Sequence, residues 1–148
     1  IDAPWSFRVD LKKSAGYNNR SKDTGEWTSV SNKTPYTKSV IEKMPFKSLG
    51  AVWILGAWQG SGVSCHRDLP STNKKEKIDN HINFNPGGYR PVYLYDPVQD
   101  KKVYVPEDYK FYAMNTTDFH GVDPLPHFSY TIRVNGVYQD EVFNLKWQ

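Results

Sequence analysis

From residue 50 onward the chain is a succession of short alternating segments cut apart by turn-forming residues. This rhythm restricts the fold more than any other feature. The segments are "AVWILGAW", "SGVSCH", "KIDNHINFN", "PVYLYD", "KKVYVP", "DYKFYAMN", "DFHGV" and "HFSYTIRVN". Between them lie "QG", "NPGG", "DPVQD", "PED" and "DPLP", combinations that favour turns. Alternation with period two suits a strand with one buried face, because successive side chains point to opposite sides. An aromatic content of 15%, weighted to ten Tyr and five Trp, also favours strands over helices. Eight short strands behind a helix suggest a jelly roll, a double-sheet sandwich whose mouth can hold a ligand. An immunoglobulin-like sandwich has a similar strand count, so the polar residues must decide between them.

Upstream, "PWSFRVDLK" (4–12) alternates as a strand. The polar tract "KKSAGYNNRSKDTGEW" (12–27) has no periodicity and reads as a mobile loop or lid. "TPYTKSVIEKMP" (34–45) predicts a helix, with Thr34 as cap, Pro35 in the first helical position and Pro45 ending it. A terminal "EVFNLKW" predicts one more strand. At 148 residues the chain is expected to be a single, mainly β domain with one or two flanking helices. Residues 1–49 would supply a strand, lid loop and helix, residues 50–135 the jelly-roll core, and residues 136–148 a C-terminal extension.

Charge excludes little but points away from nucleic acid. The net charge is +3, and the densest basic cluster, "NKKEK" (73–77), contains a glutamate. Phosphate binding usually takes a concentrated basic face. The longest apolar run, "GAVWILGAW" (50–58), is too short to span a bilayer, so no membrane partner is expected. A single cysteine, Cys65, excludes an internal disulfide and suits a cytoplasmic location. Alternation turns Cys65 away from its neighbour His66, and core packing is its expected role.

Histidine is scarce: His66, His81, His120 and His127. His66 and Asp68, in "SCHRD", close the second core segment, and His120 lies in the seventh, in "DFHGV". Arg133 lies in the eighth, in "FSYTIRVNG". The second and seventh strands of a jelly roll are neighbours at its open end, so residues distant in sequence can meet there. Two imidazoles and one carboxylate on one face of an octahedral ion hold Fe(II) and leave three positions open. Two of these can take a chelating 2-oxo acid and the third oxygen. The far carboxylate of such a ligand needs an anchor, and arginine supplies paired charge-assisted hydrogen bonds. Ser129 and Thr131 alternate onto the Arg133 face and can donate to the same carboxylate.

The order His66-x-Asp68, His120, Arg133 resembles the 2-oxoglutarate/iron(II)-dependent oxygenases over roughly residues 50–135. "HGV" followed by "FSYTIRV" is similar to that family's closing strands. The resemblance implies a small double-stranded β-helix (jelly roll) with Fe(II) held by His66, Asp68 and His120. It also implies 2-oxoglutarate as cosubstrate, with Arg133 anchoring its distal carboxylate. Family members split oxygen, release carbon dioxide and succinate, and oxidise an unactivated C–H bond. Relatives that halogenate carry a small residue at the Asp68 position, so the resemblance implies hydroxylation here.

His81 and Asn83 alternate with Ile82 and Phe84, giving that strand one polar face. If it points inward, either residue can bond the cosubstrate or orient a metal ligand, with Asn83 preferred. Trp53 and Trp58 are candidate pocket walls or plain core. The expected substrate is a small molecule or a peptide, admitted past loops at about 12–33 and 69–77; its identity and the oligomeric state are left open. Two other functions stay open. One is a non-catalytic jelly roll that binds a ligand or carbohydrate through its aromatics; the other is a cupin-like metal enzyme that does not use 2-oxoglutarate.

Overall fold

The alternating segments fold as strands. The computed structural model describes residues 6–13, 25–68, 80–114 and 116–144. Among them are nine strands: β1 (Phe7–Lys12), β2 (Phe46–Ala57), β3 (Val63–His66), β4 (Asn80–Phe84), β5 (Val92–Asp96), β6 (Lys101–Tyr104), β7 (Phe111–Tyr112), β8 (His120–Val122) and β9 (Ser129–Tyr138). They form two antiparallel sheets, ordered β1-β2-β9-β4-β7 and β3-β8-β5-β6. The protein is thus mainly β, and all eight core segments contribute a strand.

Helix α1 (Pro35–Glu42) begins with Pro35, whose missing N–H costs nothing in a first turn. Thr34 does not cap it with its side chain, contrary to the sequence expectation. A short 3-10 helix, Ser29–Lys33, precedes it, and the Thr34 hydroxyl turns back to donate to the Ser31 carbonyl at 3.3 Å. The expected lid is therefore ordered on its C-terminal side. Trp27 bridges to Lys12, and the Thr28 hydroxyl donates to the Asp10 carbonyl at 2.7 Å. Its central part, residues 14–24, and the second expected lid segment, 69–77, lie outside the described residues.

The predicted C-terminal strand is also corrected. Asp140–Asn144 form a 3-10 helix. This tight turn returns Val142 to the core beside Ile41 and Tyr138, where an extended strand would carry it past the sheet.

Alternation gives the five-stranded sheet two chemically different faces. One carries Val52 and Ile54 of β2, Ile82 and Phe84 of β4, and Ile132 and Val134 of β9. These pack with Leu11, Ile41 of α1 and Val142 into the main hydrophobic core. Each such fully buried side chain contributes about 1.5–3 kcal/mol over an exposed one. The opposite face carries Ala51, Trp53 and Leu55 from β2, then Thr131, Arg133 and Asn135 from β9, then His81 and Asn83 from β4. His81 is 1% exposed and Asn135 0%. A buried sheet face that is polar is uncommon, because each buried polar group needs a partner. This face is where a ligand would find hydrogen bonds.

Candidate metal centre

β3 and β8 are hydrogen-bonded neighbours, and His66 stands directly opposite His120. The register slips between the Val63–Val122 and His66–His120 pairs, with one extra residue on β3. Such a bulge re-aims the side chains that follow it. Gly121 makes the close approach possible: a Cβ there would lie 2.8 Å from the Val63 carbonyl oxygen. The two imidazole rings are 4.5 Å apart between centroids, inclined at 54°. Asp68 Oδ1 is 3.5 Å from His66 Nε2, and the Asp68 amide donates to the Thr116 carbonyl at 2.8 Å. That hydrogen bond ties the end of β3 to the turn leading into β8. Arg67, between the two, lies over the Phe119 ring at 5.4 Å.

Each imidazole is fixed by its own strand. His66 Nδ1 donates to the Ser64 carbonyl at 2.7 Å, and His120 Nδ1 donates to the Asp118 carbonyl at 2.8 Å. A carbonyl can only accept, so each Nδ1 carries a proton, and in a neutral imidazole so arranged the lone pair is on Nε2. This is the backbone support that metal-ligating histidines usually have. Burial holds the His120 imidazole below its usual value of 6.5. His66 and Arg133 push the same way, while the Asp118 carbonyl and Asp68 oppose them. The neutral form is the one that binds a metal.

One ligand atom from each of His66, Asp68 and His120 lies within 4.8 Å of the others. Donors about 2.0–2.2 Å from an ion sit about 3–4 Å from one another, so the trio need close by only about an ångström. Two nitrogens and one carboxylate suit Fe(II), Mn(II) or Zn(II) better than Mg(II) or Ca(II), which prefer oxygen donors. The residues present fit a transition metal.

Arg133 belongs to the other sheet. It is the cross-strand neighbour of Trp53 on β2 and Asn83 on β4, and it lies within electrostatic reach of His120. The row continues from Asn83 to Tyr112 on β7. Arg133 Nη2 donates to His81 Nδ1 at 3.3 Å. The Thr131 hydroxyl donates to the Phe84 carbonyl at 3.1 Å. Ser129 lies further along the Arg133 face, opposite Ala57.

Trp53 is 5% exposed, in a small cluster with Ala51 and Leu55, and the Arg8 guanidinium lies 5.1 Å above its ring. Trp58 is largely exposed and packs with Phe7 and Phe128 at the surface. Cys65 is exposed, not core. It turns away from His66 as alternation requires, but β3 is an edge strand and its outer face stays open to solvent.

Three polar residues of the interior escaped the sequence reading. Asn135 shares the parity of Arg133 in "TIRVN" and was legible by alternation. Tyr112 is buried, and that burial raises its phenol above the usual value. Arg90, which closes the "NPGGYR" turn, is 4% exposed. No local pattern marks an arginine after a turn as buried.

Among the described residues no helix is long and apolar enough to cross a membrane. No protein-family model matches this chain, and no curated protein matches it either.

Proposed function

We propose that the chain is a 2-oxoglutarate- and Fe(II)-dependent dioxygenase that hydroxylates a C–H bond of a small molecule or a peptide side chain. One observation carries this reading. Two imidazoles whose Nδ1 protons are held by backbone carbonyls converge with one carboxylate, while a guanidinium lies within electrostatic reach. The fold supports it. Successive strands from β2 to β9 cross between the sheets in the order A-B-A-B-B-A-B-A, taking the five-stranded sheet as A. A jelly roll (double-stranded β-helix) would wind in the same order, which supports the reading.

In this reading His66, Asp68 and His120 would hold Fe(II), which when bound would supply oxygen activation and open positions for the 2-oxo acid to chelate. The Ser64 and Asp118 carbonyls keep both Nε2 atoms aimed at the ion. Arg133 holds the cosubstrate's far carboxylate by charge-assisted hydrogen bonds. His81 Nδ1 accepts from its Nη2 and orients the guanidinium fork. Trp53, beside Arg133 on β2, keeps water from that end of the site.

Anaerobic addition of Fe(II) and 2-oxoglutarate to the purified protein tests the proposal. A visible metal-centred absorption band should appear, and on admitting air 2-oxoglutarate should be converted to succinate. Absence of the band, or equal metal binding by His66→Ala, overturns it.

A further inference from the structure

The interior holds a second guanidinium that nothing described so far employs. Arg90 is 4% exposed, and its Nε is buried with no hydrogen-bond partner. Among the described residues no carboxylate pairs with it; the one titratable neighbour acting on it is the Tyr112 phenol. Tyr112 in turn feels both Arg90 and Arg133. Tyr112 continues the sheet row of Arg133 and Asn83, so Arg90 and Arg133 both border this buried phenol.

A charge removed from water without a counter-charge is costly, and proteins keep such groups where a ligand completes them. The turn before Arg90 is made by Pro86, Gly87 and Gly88, and the Arg90 carbonyl serves the start of β5, accepting from Val92 N at 2.8 Å. A guanidinium presents a rigid planar fork that matches a carboxylate in two-point fashion.

We propose that Arg90 and Arg133 together bind one carboxylate group beside Tyr112, so that the protein's occupant is a carboxylic acid gripped by two guanidiniums rather than one. The identity of that acid as a dicarboxylate whose other end reaches the metal rests on the oxygenase reading. The two-arginine site itself does not. Arg90 would thus set specificity for anionic over neutral or ester-capped ligands. Because Arg90 pairs with no carboxylate among the described residues, an acid that binds it also stabilises the fold by binding only the native state.

The test uses succinate, which lacks the 2-oxo group, with the full chain in excess EDTA. Calorimetry should show binding that His120→Ala retains. Arg90→Gln should weaken it at least tenfold, Arg90→Lys should give an intermediate loss, and monomethyl succinate should bind less well than succinate. Without ligand, Arg90→Gln should melt no lower than the unsubstituted protein, because it removes a buried, unpaired charge. The proposal is overturned if succinate does not bind, if Arg90→Lys binds it unchanged, or if phosphate is preferred. It is also overturned if Arg90→Gln lowers the melting temperature while affinity stays the same, the mark of a structural role. Should succinate bind by this pattern while Fe(II) gives no absorption band, the carboxylate site stands and the oxygenase reading falls.

Discussion

His66 and His120 face each other across β3 and β8, and in both the Nδ1 proton is given to a carbonyl two residues earlier in the same strand or turn. The two rings are thus oriented by backbone that each carries with it. The site is pre-set on the nitrogen side. On the carboxylate side, the Asp68 amide is tied to the Thr116 carbonyl and Asp68 Oδ1 lies 3.5 Å from His66 Nε2.

That arrangement predicts how the ligands rank. His120→Ala should weaken Fe(II) or Co(II) binding by at least about 100-fold, since even supporting partners of metal ligands are worth about 10–100-fold. Asp68→Asn keeps the shape but loses the charge, and should retain weak metal binding while abolishing 2-oxoglutarate turnover. Metal titration monitored by absorption, with circular dichroism to confirm folding, checks both.

Arg133→Ala should leave metal affinity within a few-fold of the parent and weaken 2-oxoglutarate binding by about 30-fold or more. Truncating one partner of a buried charge pair costs about 2–5 kcal/mol. Arg133→Lys should recover little, because an ammonium lacks the planar fork. Equal 2-oxoglutarate affinity in Arg133→Ala would assign the guanidinium to structure alone.

On the outer side of the four-stranded sheet, Asp123 accepts from Tyr104 and from Lys102, the latter at 2.9 Å. Tyr104 first and Lys102 second hold its carboxyl below the usual 3.8. The folded form therefore binds its proton less readily than the unfolded chain. The resulting stability is present above the unfolded value near 3.8 and is lost as pH falls through the lower folded value. Melting temperatures measured from pH 5 downward should fall less steeply in Asp123→Asn, and an identical slope would refute the linkage.

Ile132→Ala opens the main core and should cost about 2–5 kcal/mol in urea unfolding. Ile132 is 3% exposed, and its side chain lies on the face of β9 opposite Arg133. At permissive temperature the variant should bind metal as the parent does. A matching loss of metal affinity would mean that the two faces of the sheet are coupled.

Much of this was legible in the chain. Local alternation marked every strand, because a period of two is a property of the backbone. Pro35 marked the helix start, because its missing N–H fits only a first turn. The pair His66 and Asp68, with His120, could be nominated because a jelly-roll order makes their strands neighbours. Alternation also placed His81 with Asn83 on one polar face, but could not say whether that face was inside.

The rest was decided by packing, which depends on what lies across the interior. The "EVFNLKW" segment turns into a 3-10 helix because Val142 has a core to return to beside Ile41. Cys65 is open because its strand ends a sheet. Sequence alone told which side chains share a face of a strand, since covalent geometry dictates it. Tertiary structure alone buried Arg90, since burial of a charge is a matter of which distant segments enclose it.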